Sequence, residues 1–311
     1  MRVVVTEPLD PEALDWLRER HEVVDSSPER VLDDIAGAEG LVVRTYTEVG
    51  GALLERADRL KVVGRAGVAL DNIDIAACRA RGVEVVHTPG SNTTAVAEYV
   101  FALILDAIRP RVMLDAALDL ERWSALRAEL VAPRQLEGMT LGIWGMGRIG
   151  RRVARIARAF DARAIYHDVE EVDEAERHGA DPVSREALLE RSEVVTVHVD
   201  DREANRHMVD ADAFGRMRSD VVFLNCARGL VVDPVACARF FSDHPGAMAL
   251  LDVHEPEPFG PDHPLLGIEN VKLLPHIAAG TAPAKKAMSW VVRDVARVLG
   301  GETPEHAAPD I

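Results

Sequence analysis

Cysteine, aromatic residues and long apolar runs are all scarce in this sequence, and each scarcity excludes a class of protein. The chain has only three cysteines, and Cys78, Cys226 and Cys237 form no CxxC pair and no metal-ligand spacing. We therefore expect buried thiols in a reducing compartment and no bound metal. The longest apolar stretch begins at Tyr99 and is interrupted by Asp106, well short of a membrane-spanning helix. The first apolar run is too short for a signal peptide, so a cytoplasmic location is expected.

Positive charge is also in short supply. There are 36 Lys and Arg residues against 52 Asp and Glu residues, which gives a formal net charge of −16. An acidic surface repels phosphate backbones and anionic lipids, so neither nucleic acid nor a membrane is an expected partner. Any anionic substrate must instead meet a local cluster of arginine. The 311-residue length favours two domains.

What the sequence does contain is a repeated alternation of strand-like and helix-like segments. In the first ninety residues, short runs rich in Val predict strands over 3–5, 22–24, 41–43, 61–63 and 83–86. Helices are predicted to start at Pro11 behind Asp10 and at Pro28 behind Ser27, because proline suits the first helical position after a capping residue. This alternation predicts a parallel sheet with helices on both faces.

The second half repeats the pattern after a long apolar helix predicted from Ala95 to about Ile108. Strands are predicted over 141–144, 164–166, 194–197, 221–224, 247–251 and 271–274. Residues 282–299 are predicted to form one helical stretch, and residues 300–311 a loose tail. The fold class is therefore α/β, with two doubly wound parallel-sheet domains.

A glycine-rich motif follows the strand at 141–144 and precedes a helical segment. It consists of Gly145, Met146, Gly147, Arg148, Ile149 and Gly150. In this context the motif predicts dinucleotide binding. The first glycine makes the tight turn, the second lets the backbone approach a diphosphate, and the third lets the helix pack close to the sheet. The helix N-terminus offers free N–H groups to the diphosphate.

An acidic residue at the end of the next strand indicates which dinucleotide binds. Asp168 lies eighteen residues after Gly150, close to the ~20 typical of the acid that binds the ribose diol. A carboxylate there repels a 2′-phosphate, and the following residues include no arginine to hold one. NAD is therefore predicted as the cofactor rather than NADP.

Three polar residues each follow a predicted strand of the second half: Arg228, Glu257 and His276. Ligands of open α/β sheets bind beyond the carboxyl ends of the strands, so these side chains are predicted to converge. His276 suits a base for a hydroxyl proton during hydride transfer. Glu257 would raise the pKa of this imidazole, and Arg228 would hold a substrate carboxylate or polarise a carbonyl.

Each of these residues also has a plainer interpretation. Arg228 could cap a turn, Glu257 could be solvated in its proline-rich segment, and His276 is one of 11 histidines. His198 also ends a predicted strand and is the main rival for the role of base. Spacing alone gives His276 only a modest preference.

Several ordered motifs resemble the D-isomer-specific 2-hydroxyacid dehydrogenases, the family that includes D-3-phosphoglycerate dehydrogenase and glyoxylate/hydroxypyruvate reductase. The motifs are GRAGVALDNIDI from Gly64, TPGSNTTAVAEYV from Thr88, GMGRIG from Gly145, NCARGLVVD from Asn225, LDVHEPEP from Leu251 and NVKLLPHIAAGT from Asn270. The resemblance implies a flavodoxin-like substrate-binding domain of residues 1–94 plus 281–311 and a Rossmann NAD-binding domain of residues 95–280. It also implies a homodimer through the NAD-binding domain.

The resemblance further implies roles for individual residues. Arg228, Glu257 and His276 would be the catalytic trio acting on a small D-2-hydroxy acid or 2-keto acid, possibly one bearing a phosphate or phosphonate. Cofactor contacts would include His198, Cys226, Ala227 and Asp252, with Asp252 binding the nicotinamide amide. Substrate contacts would include the backbone N–H groups of Val68 and Ala69. Arg44 or Arg65 could read a distal phosphate, although a surface ion pair is an equal interpretation of either arginine.

The sequence also departs from the family pattern. Ala69 stands where glycine is usual, and His198 is followed by Val199, Asp200 and Asp201 instead of the usual x-Pro-Leu. We expect Ala69 to alter substrate docking, and the segment after His198 to alter the affinity for the cofactor and the fit of its adenine. His254 replaces a customary Phe, as either filler or a substrate contact.

Two functions other than a 2-hydroxyacid dehydrogenase remain open at this stage. One is a non-enzymatic protein that senses NAD(H), and the other is a dehydrogenase of a small oxyanion such as phosphite or formate. Retention of Arg228, Glu257 and His276 as a set argues against pure sensing.

Overall fold

The structure is a computed structural model in which residues 1–309 are described. The chain divides into two compact units, one formed by Met1–Asn92 with the chain from Ala279 onward, and the other by Thr93–Ala278. None of the helices in residues 1–309 has the length and apolar character needed to cross a membrane.

Strands and helices alternate along most of the chain. Residues 1–92 contain β1 Arg2–Val5, α1 Pro11–Arg18, β2 Glu22–Asp25, α2 Val31–Asp34, β3 Gly40–Val43, α3 Gly51–Arg56, β4 Val62–Arg65, α4 Ile75–Ala80 and β5 Glu84–Val86. Residues 93–278 contain α5 Thr93–Ile108, α6 Leu120–Glu129, β6 Thr140–Trp144, α7 Arg148–Ala159, β7 Arg163–His167, β8 Asp181–Pro182, α8 Arg185–Arg191, β9 Val194–Val197, α9 Ala211–Arg216, β10 Val222–Asn225, α10 Pro234–Asp243, β11 Met248–Leu251 and β12 Val271–Leu273. The remainder contains α11 Ala282–Ser289 and α12 Val292–Leu299.

The first unit is built on a five-stranded sheet in the order β2-β1-β3-β4-β5. All of its ladders are parallel. Alternate residues of β1 point to opposite faces, so Val4 packs into one apolar cluster while Val3 and Val5 pack into another. The second cluster includes Leu17 of α1 and Val295 of α12. Both faces of the sheet are therefore covered, as expected for a doubly wound fold.

The second unit is built on a seven-stranded parallel sheet in the order β12-β11-β10-β9-β6-β7-β8. The order reverses at β6, the strand that leads into the glycine motif. Crevices for ligands form where strand order reverses in open sheets of this type. The two parallel sheets confirm the predicted α/β class.

Two helix predictions are wrong in detail. The helix predicted from Pro28 begins at Val31, no side chain caps it, and the Ser27 carbonyl closes the preceding turn by accepting from Val31 N–H. The single helix predicted over 282–299 is two helices. The N–H groups of Trp290 and Val291 donate to carbonyls only three residues back, which tightens the chain between α11 and α12.

The predicted loose tail is also wrong over its described part. Buried Asp294, on α12, accepts hydrogen bonds from the N–H groups of Glu305 and His306. Ala308 N–H donates to the Val85 carbonyl at the edge of the five-stranded sheet, and Ala308 is buried. The tail is therefore tied down by its backbone. Asp310 and Ile311, the end of the predicted tail, lie outside the described residues.

Candidate active site

Three loops meet at the carboxyl edge of the seven-stranded sheet. They follow β10, β11 and β12, which are neighbours in the sheet. The loops carry Arg228, Glu257 and His276, respectively. The topology therefore brings the three predicted residues to one edge.

His276 and Glu257 form a direct side-chain pair. The distance from His276 Nδ1 to Glu257 Oε2 is 2.6 Å. Side-chain exposure is 47% for His276 and 33% for Glu257, so the pair is partly shielded but open to a small molecule. The hydrogen bond to Glu257 raises the pKa of His276 above its usual value, while partial burial works against it. Because Nδ1 faces the carboxylate, Nε2 is the nitrogen left to exchange a proton with a ligand.

Glu257 is itself fixed on its other oxygen. Oε1 accepts a hydrogen bond of 2.7 Å from the backbone N–H of His254. Burial acts to raise the pKa of Glu257, but the hydrogen bonds from His276 and from the His254 backbone outweigh it and lower the pKa. The carboxylate thus stays ionised beside an imidazole that holds its proton more tightly.

His276 has an unusual backbone conformation, with φ at +52°. Such a left-handed conformation is uncommon outside glycine and persists only where the surroundings enforce it. Asp252, which is fully buried, supplies the restraint: its carbonyl accepts His276 N–H, and its carboxylate oxygens accept the N–H groups of Ile277 and Ala278 at 2.9 and 2.8 Å. Burial raises the pKa of Asp252, and these hydrogen bonds oppose the rise.

The predicted role of Asp252 at the nicotinamide amide therefore stays a prediction. What the structure gives this residue is the support of the loop that carries His276.

Arg228 follows a turn organised by Asn225. The side chain of Asn225, only 1% exposed, accepts from Ala227 N–H and donates to the Arg228 carbonyl at 2.8 Å. The Arg228 guanidinium lies close enough to His276 for its charge to oppose the rise in the imidazole pKa. Arg228 Nε lies 3.8 Å from Asp201 Oδ2. Sequence reasoning missed Asn225, although an Asn two residues before a turn residue is a known signal for such a turn.

The glycine motif has the geometry that a diphosphate cradle needs. Gly145 has φ at +99°, and a Cβ there would lie 2.7 Å from the backbone of His198. A Cβ at Gly150 would lie 2.1 Å from the Gly145 carbonyl oxygen, so the start of α7 packs directly on the turn. A Cβ at Gly147 would meet no atom within 4 Å, which leaves open space above the backbone. The residues fit a dinucleotide on this observation.

The other residues of the motif differ in what they can offer a ligand. Arg148 is exposed and Ile149 partly exposed at the start of α7, where no side chain caps the helix. Met146 is 1% exposed, and its N–H donates to the Asp168 carboxylate. Asp168 also accepts from Glu170 N–H at 2.9 Å and stands at the end of β7, as predicted. Met146 N–H is thus already used within the protein.

His198 makes a poor rival for the role of base. Burial lowers the pKa of His198 to about 3. Its Nε2 lies 3.0 Å from Thr196 Oγ1, and its buried Nδ1 has no partner in the described residues. An imidazole with so low a pKa holds a proton weakly at neutral pH. Cys226 and Ala227, also predicted to contact the cofactor, are each 7% exposed.

The remaining predicted substrate residues lie at the carboxyl edge of the five-stranded sheet, in the other unit. Arg44 follows β3, and its Nη1 donates to the Pro8 carbonyl at 3.0 Å. Arg65 ends β4, and its guanidinium occupies the space where a Cβ of Gly67 would lie. Val68 and Ala69 follow and are partly exposed.

A buried carboxylate that sequence reasoning missed organises this second edge. Glu7, 8% exposed, accepts hydrogen bonds from all four backbone N–H groups of residues 44–47, at 2.9 to 3.2 Å. No motif in the sequence points to this contact, because it joins residues about forty positions apart.

Comparison with known proteins identifies the architecture. The family model described as D-isomer specific 2-hydroxyacid dehydrogenase, NAD binding domain, matches residues 101–278, more than half of the chain. The chain belongs to this family. The match confirms the predicted resemblance and supports NAD as the cofactor.

Individual relatives cover nearly all of the chain. A glyoxylate reductase of Aeropyrum pernix is 35% identical over 94% of this chain and 91% of its own length. A D-3-phosphoglycerate dehydrogenase of Archaeoglobus fulgidus is also 35% identical over 94% of this chain, which spans only 56% of that relative. The solved structure of an Aquifex aeolicus D-lactate dehydrogenase complexed with NAD and lactic acid superposes with a TM-score of 0.82, at 26% identity, over 97% of this chain and 96% of that one.

Proposed function

We propose that this protein is an NAD-dependent D-2-hydroxyacid dehydrogenase, interconverting a small D-2-hydroxy acid and its 2-keto acid. The observation that carries the proposal is the 2.6 Å contact between His276 Nδ1 and Glu257 Oε2, with Arg228 near enough to influence the imidazole. A proton acceptor and a cation for a carboxylate thus stand at one sheet edge, in the unit that also contains the glycine motif.

The residues of the chain account for the proton chemistry. In oxidation, His276 Nε2 takes the proton of the C2 hydroxyl, and Glu257 stabilises the imidazolium that forms. In reduction, the same imidazolium returns the proton to the carbonyl oxygen. Bound nicotinamide supplies the hydride acceptor in the first direction and the donor in the second. Arg228 holds the substrate carboxylate or polarises the carbonyl with its planar donors.

The direct test is a reductive screen that follows NADH absorbance. Glyoxylate, hydroxypyruvate, pyruvate, phosphohydroxypyruvate and a phosphonate analogue cover the side-chain sizes and charges in question. We expect at least one to oxidise NADH, and His276→Asn to slow the reaction by roughly 10²–10⁴-fold while NADH binding persists. Tight NAD binding with no turnover of any keto acid would favour an NAD sensor instead. Turnover of phosphite or formate alone would favour the oxyanion dehydrogenase.

The cofactor preference rests on Asp168. Replacing it with Ala removes the carboxylate expected to bind the ribose diol and to repel a 2′-phosphate. We expect Asp168→Ala to weaken NAD by roughly 10-fold, the scale of one charged hydrogen bond, and to narrow the gap to NADP. Titrations with both cofactors measure this. An unchanged NAD/NADP ratio would remove the ribose assignment.

We further propose that the protein is a homodimer through the seven-stranded unit. Helix α6 has no buried residue. The chain around it exposes an unusual set of large apolar side chains: Val112, Met113, Leu114, Leu120, Trp123 and Val131. Monomeric proteins rarely leave so many together in water, and a second copy of the chain would cover them.

Sedimentation velocity tests the dimer. We expect the double variant Met113→Lys/Leu120→Lys to dissociate it, because two charges enter an apolar interface. Val235→Lys is the matched control, since Val235 is 66% exposed in the same unit but outside the α6 region. A wild-type monomer, or a double variant that dimerises normally, would contradict the proposal.

The substrate roles of Arg44, Arg65, Val68 and Ala69, and the division into a substrate-binding and an NAD-binding domain, remain predictions. A cytoplasmic location is proposed because Cys78, Cys226 and Cys237 are all free and buried, as expected in a reducing compartment. Cell fractionation tests the location.

A further inference from the structure

One residue of the seven-stranded unit contacts all three loops of the candidate active site. His254 lies three positions after the end of β11, in the loop that leads to Glu257. Its backbone N–H, its backbone carbonyl and its ring each face a different loop. The proton chemistry proposed above does not use the His254 ring.

The ring of His254 reaches the loop of His276. Its Nε2 lies 2.7 Å from the carbonyl oxygen of Leu274, two residues before His276. A carbonyl only accepts, so Nε2 carries the hydrogen. The backbone N–H of the same residue binds Glu257 Oε1, whose other oxygen binds His276. Together with the backbone from Leu274 to His276, these hydrogen bonds form a closed circuit that includes both Glu257 and His276.

The backbone carbonyl of His254 packs against the loop of Arg228. A Cβ at Gly229 would lie 1.9 Å from this carbonyl oxygen, so the two backbones touch at a position that only glycine allows. Gly229 directly follows Arg228. The third loop is thus held by steric contact with the same residue.

We propose that His254 is a positioning residue that fixes the relative placement of the Arg228, Glu257 and His276 loops through its ring hydrogen bond to Leu274. The expected effect on kcat rests on the proposed dehydrogenase function, whereas the expected effect on the pKa of His276 does not. The ring is more than filler: its Nε2 is used by Leu274, and its centroid lies 4.7 Å from that of Phe259 in an edge-to-face arrangement.

The circuit matters because the His276 loop is under strain. His276 sits at φ +52°, which other contacts must maintain. The charged groups acting on its ring are Glu257, Asp252 and Arg228, so a loosened loop changes the distance to each. Loss of the Leu274 bond is expected to weaken the Glu257 contact first, because His254 holds that carboxylate as well.

The test compares two substitutions at this position with a matched control elsewhere. His254→Phe keeps an aromatic ring but removes the donor. His254→Gln keeps a donor, because its amide nitrogen lies the same number of bonds from the backbone as Nε2. His244→Phe is the control: His244 Nδ1 lies 2.9 Å from the Phe240 carbonyl and its ring stacks on Phe240 at 4.3 Å, at the end of α10.

Two readouts are measured in each variant. Titration of isotope-labelled histidine by NMR, with His276 assigned by its own variant, gives the pKa of His276 without any substrate. We expect His254→Phe to lower this pKa and to reduce kcat by about 10-fold with little change in KM, since a small misplacement of reacting groups acts mainly on turnover. We expect His254→Gln to restore both readouts and His244→Phe to change neither.

The outcomes separate this inference from the proposed function. A His276 pKa that is the same in wild type and in folded His254→Phe overturns the positioning role, whatever the activity. A lowered pKa without any turnover in wild type supports the positioning role and rejects the dehydrogenase. A shift in His254→Gln as large as in His254→Phe would show that the Leu274 hydrogen bond is not the cause, and would also overturn the inference.

Discussion

A buried carboxylate supports a loop at the carboxyl edge of each sheet, but the two supported loops differ. In each unit a buried carboxylate accepts backbone N–H groups of a loop that carries a predicted site residue. Glu7 binds residues 44–47 beside the five-stranded sheet, and Asp252 binds Ile277 and Ala278 beside the seven-stranded sheet. The exposed fractions are 8% for Glu7 and 0% for Asp252.

The loops that these carboxylates hold differ in strain and in charge. The Asp252 loop includes His276, which is left-handed and paired with Glu257. None of residues 44–47 has a left-handed backbone conformation, and the Arg44 guanidinium donates a hydrogen bond to the Pro8 carbonyl. A strained residue whose pKa is shifted by a specific partner is typical of a site of proton chemistry. We therefore expect the unstrained loop of residues 44–47 to serve binding rather than proton transfer.

The largest expected effect is at the strained edge. His276→Ala removes the proposed base and acid, and we expect kcat to fall by roughly 10²–10⁴-fold with little change in NADH binding. Steady-state kinetics and fluorescence titration with NADH measure the two quantities. An unchanged kcat would transfer the role to His198, in spite of the low pKa that burial gives it, and would break the contrast between the two edges.

The next effect separates the two carboxylates. Asp252→Asn replaces one acceptor oxygen by a donor that faces the N–H of Ile277 or Ala278. We expect the free energy of unfolding to fall by about 1–3 kcal/mol, because a buried donor loses its partner. We also expect kcat to fall by about 10–100-fold, because His276 is misplaced. Urea unfolding and kinetics check both, and a loss of stability at full turnover would show that the His276 loop needs no such support.

The sequence predicts the parts of this contrast that depend on local pattern. Val-rich runs and capping residues place the strands and α1, and Gly145, Gly147 and Gly150 predict the diphosphate turn because each answers a local steric need. The strand-end rule brings Arg228, Glu257 and His276 together because neighbouring parallel strands end at one edge.

What the sequence does not predict depends on contacts between distant residues. Glu7 reads as an ordinary acid near the N-terminus, and its burial follows only from its approach to residues 44–47. The prediction of a loose tail is wrong for the same reason, because the tail is held by hydrogen bonds to Asp294 and to the edge strand β5. The break between α11 and α12 depends on two hydrogen bonds, those of the Trp290 and Val291 N–H groups. The periodicity of apolar residues does not predict such a local change.

A smaller effect concerns pH. Because Glu257 raises the pKa of His276, the imidazolium persists to higher pH than usual. Reduction needs this proton, so its rate should hold at low pH and fall as pH rises through the raised pKa, while oxidation should rise over the same range. Glu257→Gln lowers the pKa, so both limbs should move to lower pH, and reductive kcat/KM at pH 7 should fall roughly tenfold. Profiles of kcat/KM against pH test this, and limbs that stay in place would separate Glu257 from the titration.

The smallest effect should come from the other edge. Glu7→Gln disturbs the acceptor of residues 44–47 as Asp252→Asn disturbs the acceptor of the His276 loop. Among the described residues Oε2 accepts from Thr45 N–H alone, so it is the oxygen most readily replaced by the amide nitrogen. We expect a comparable loss of about 1–3 kcal/mol in unfolding free energy. Its kinetic effect should differ: KM should rise a few-fold while kcat is kept, because neither His276 nor Glu257 stands on that loop. If Glu7→Gln lowered kcat as much as Asp252→Asn does, the five-stranded edge would take part in the chemistry, and the division of labour between the two carboxylates would be wrong.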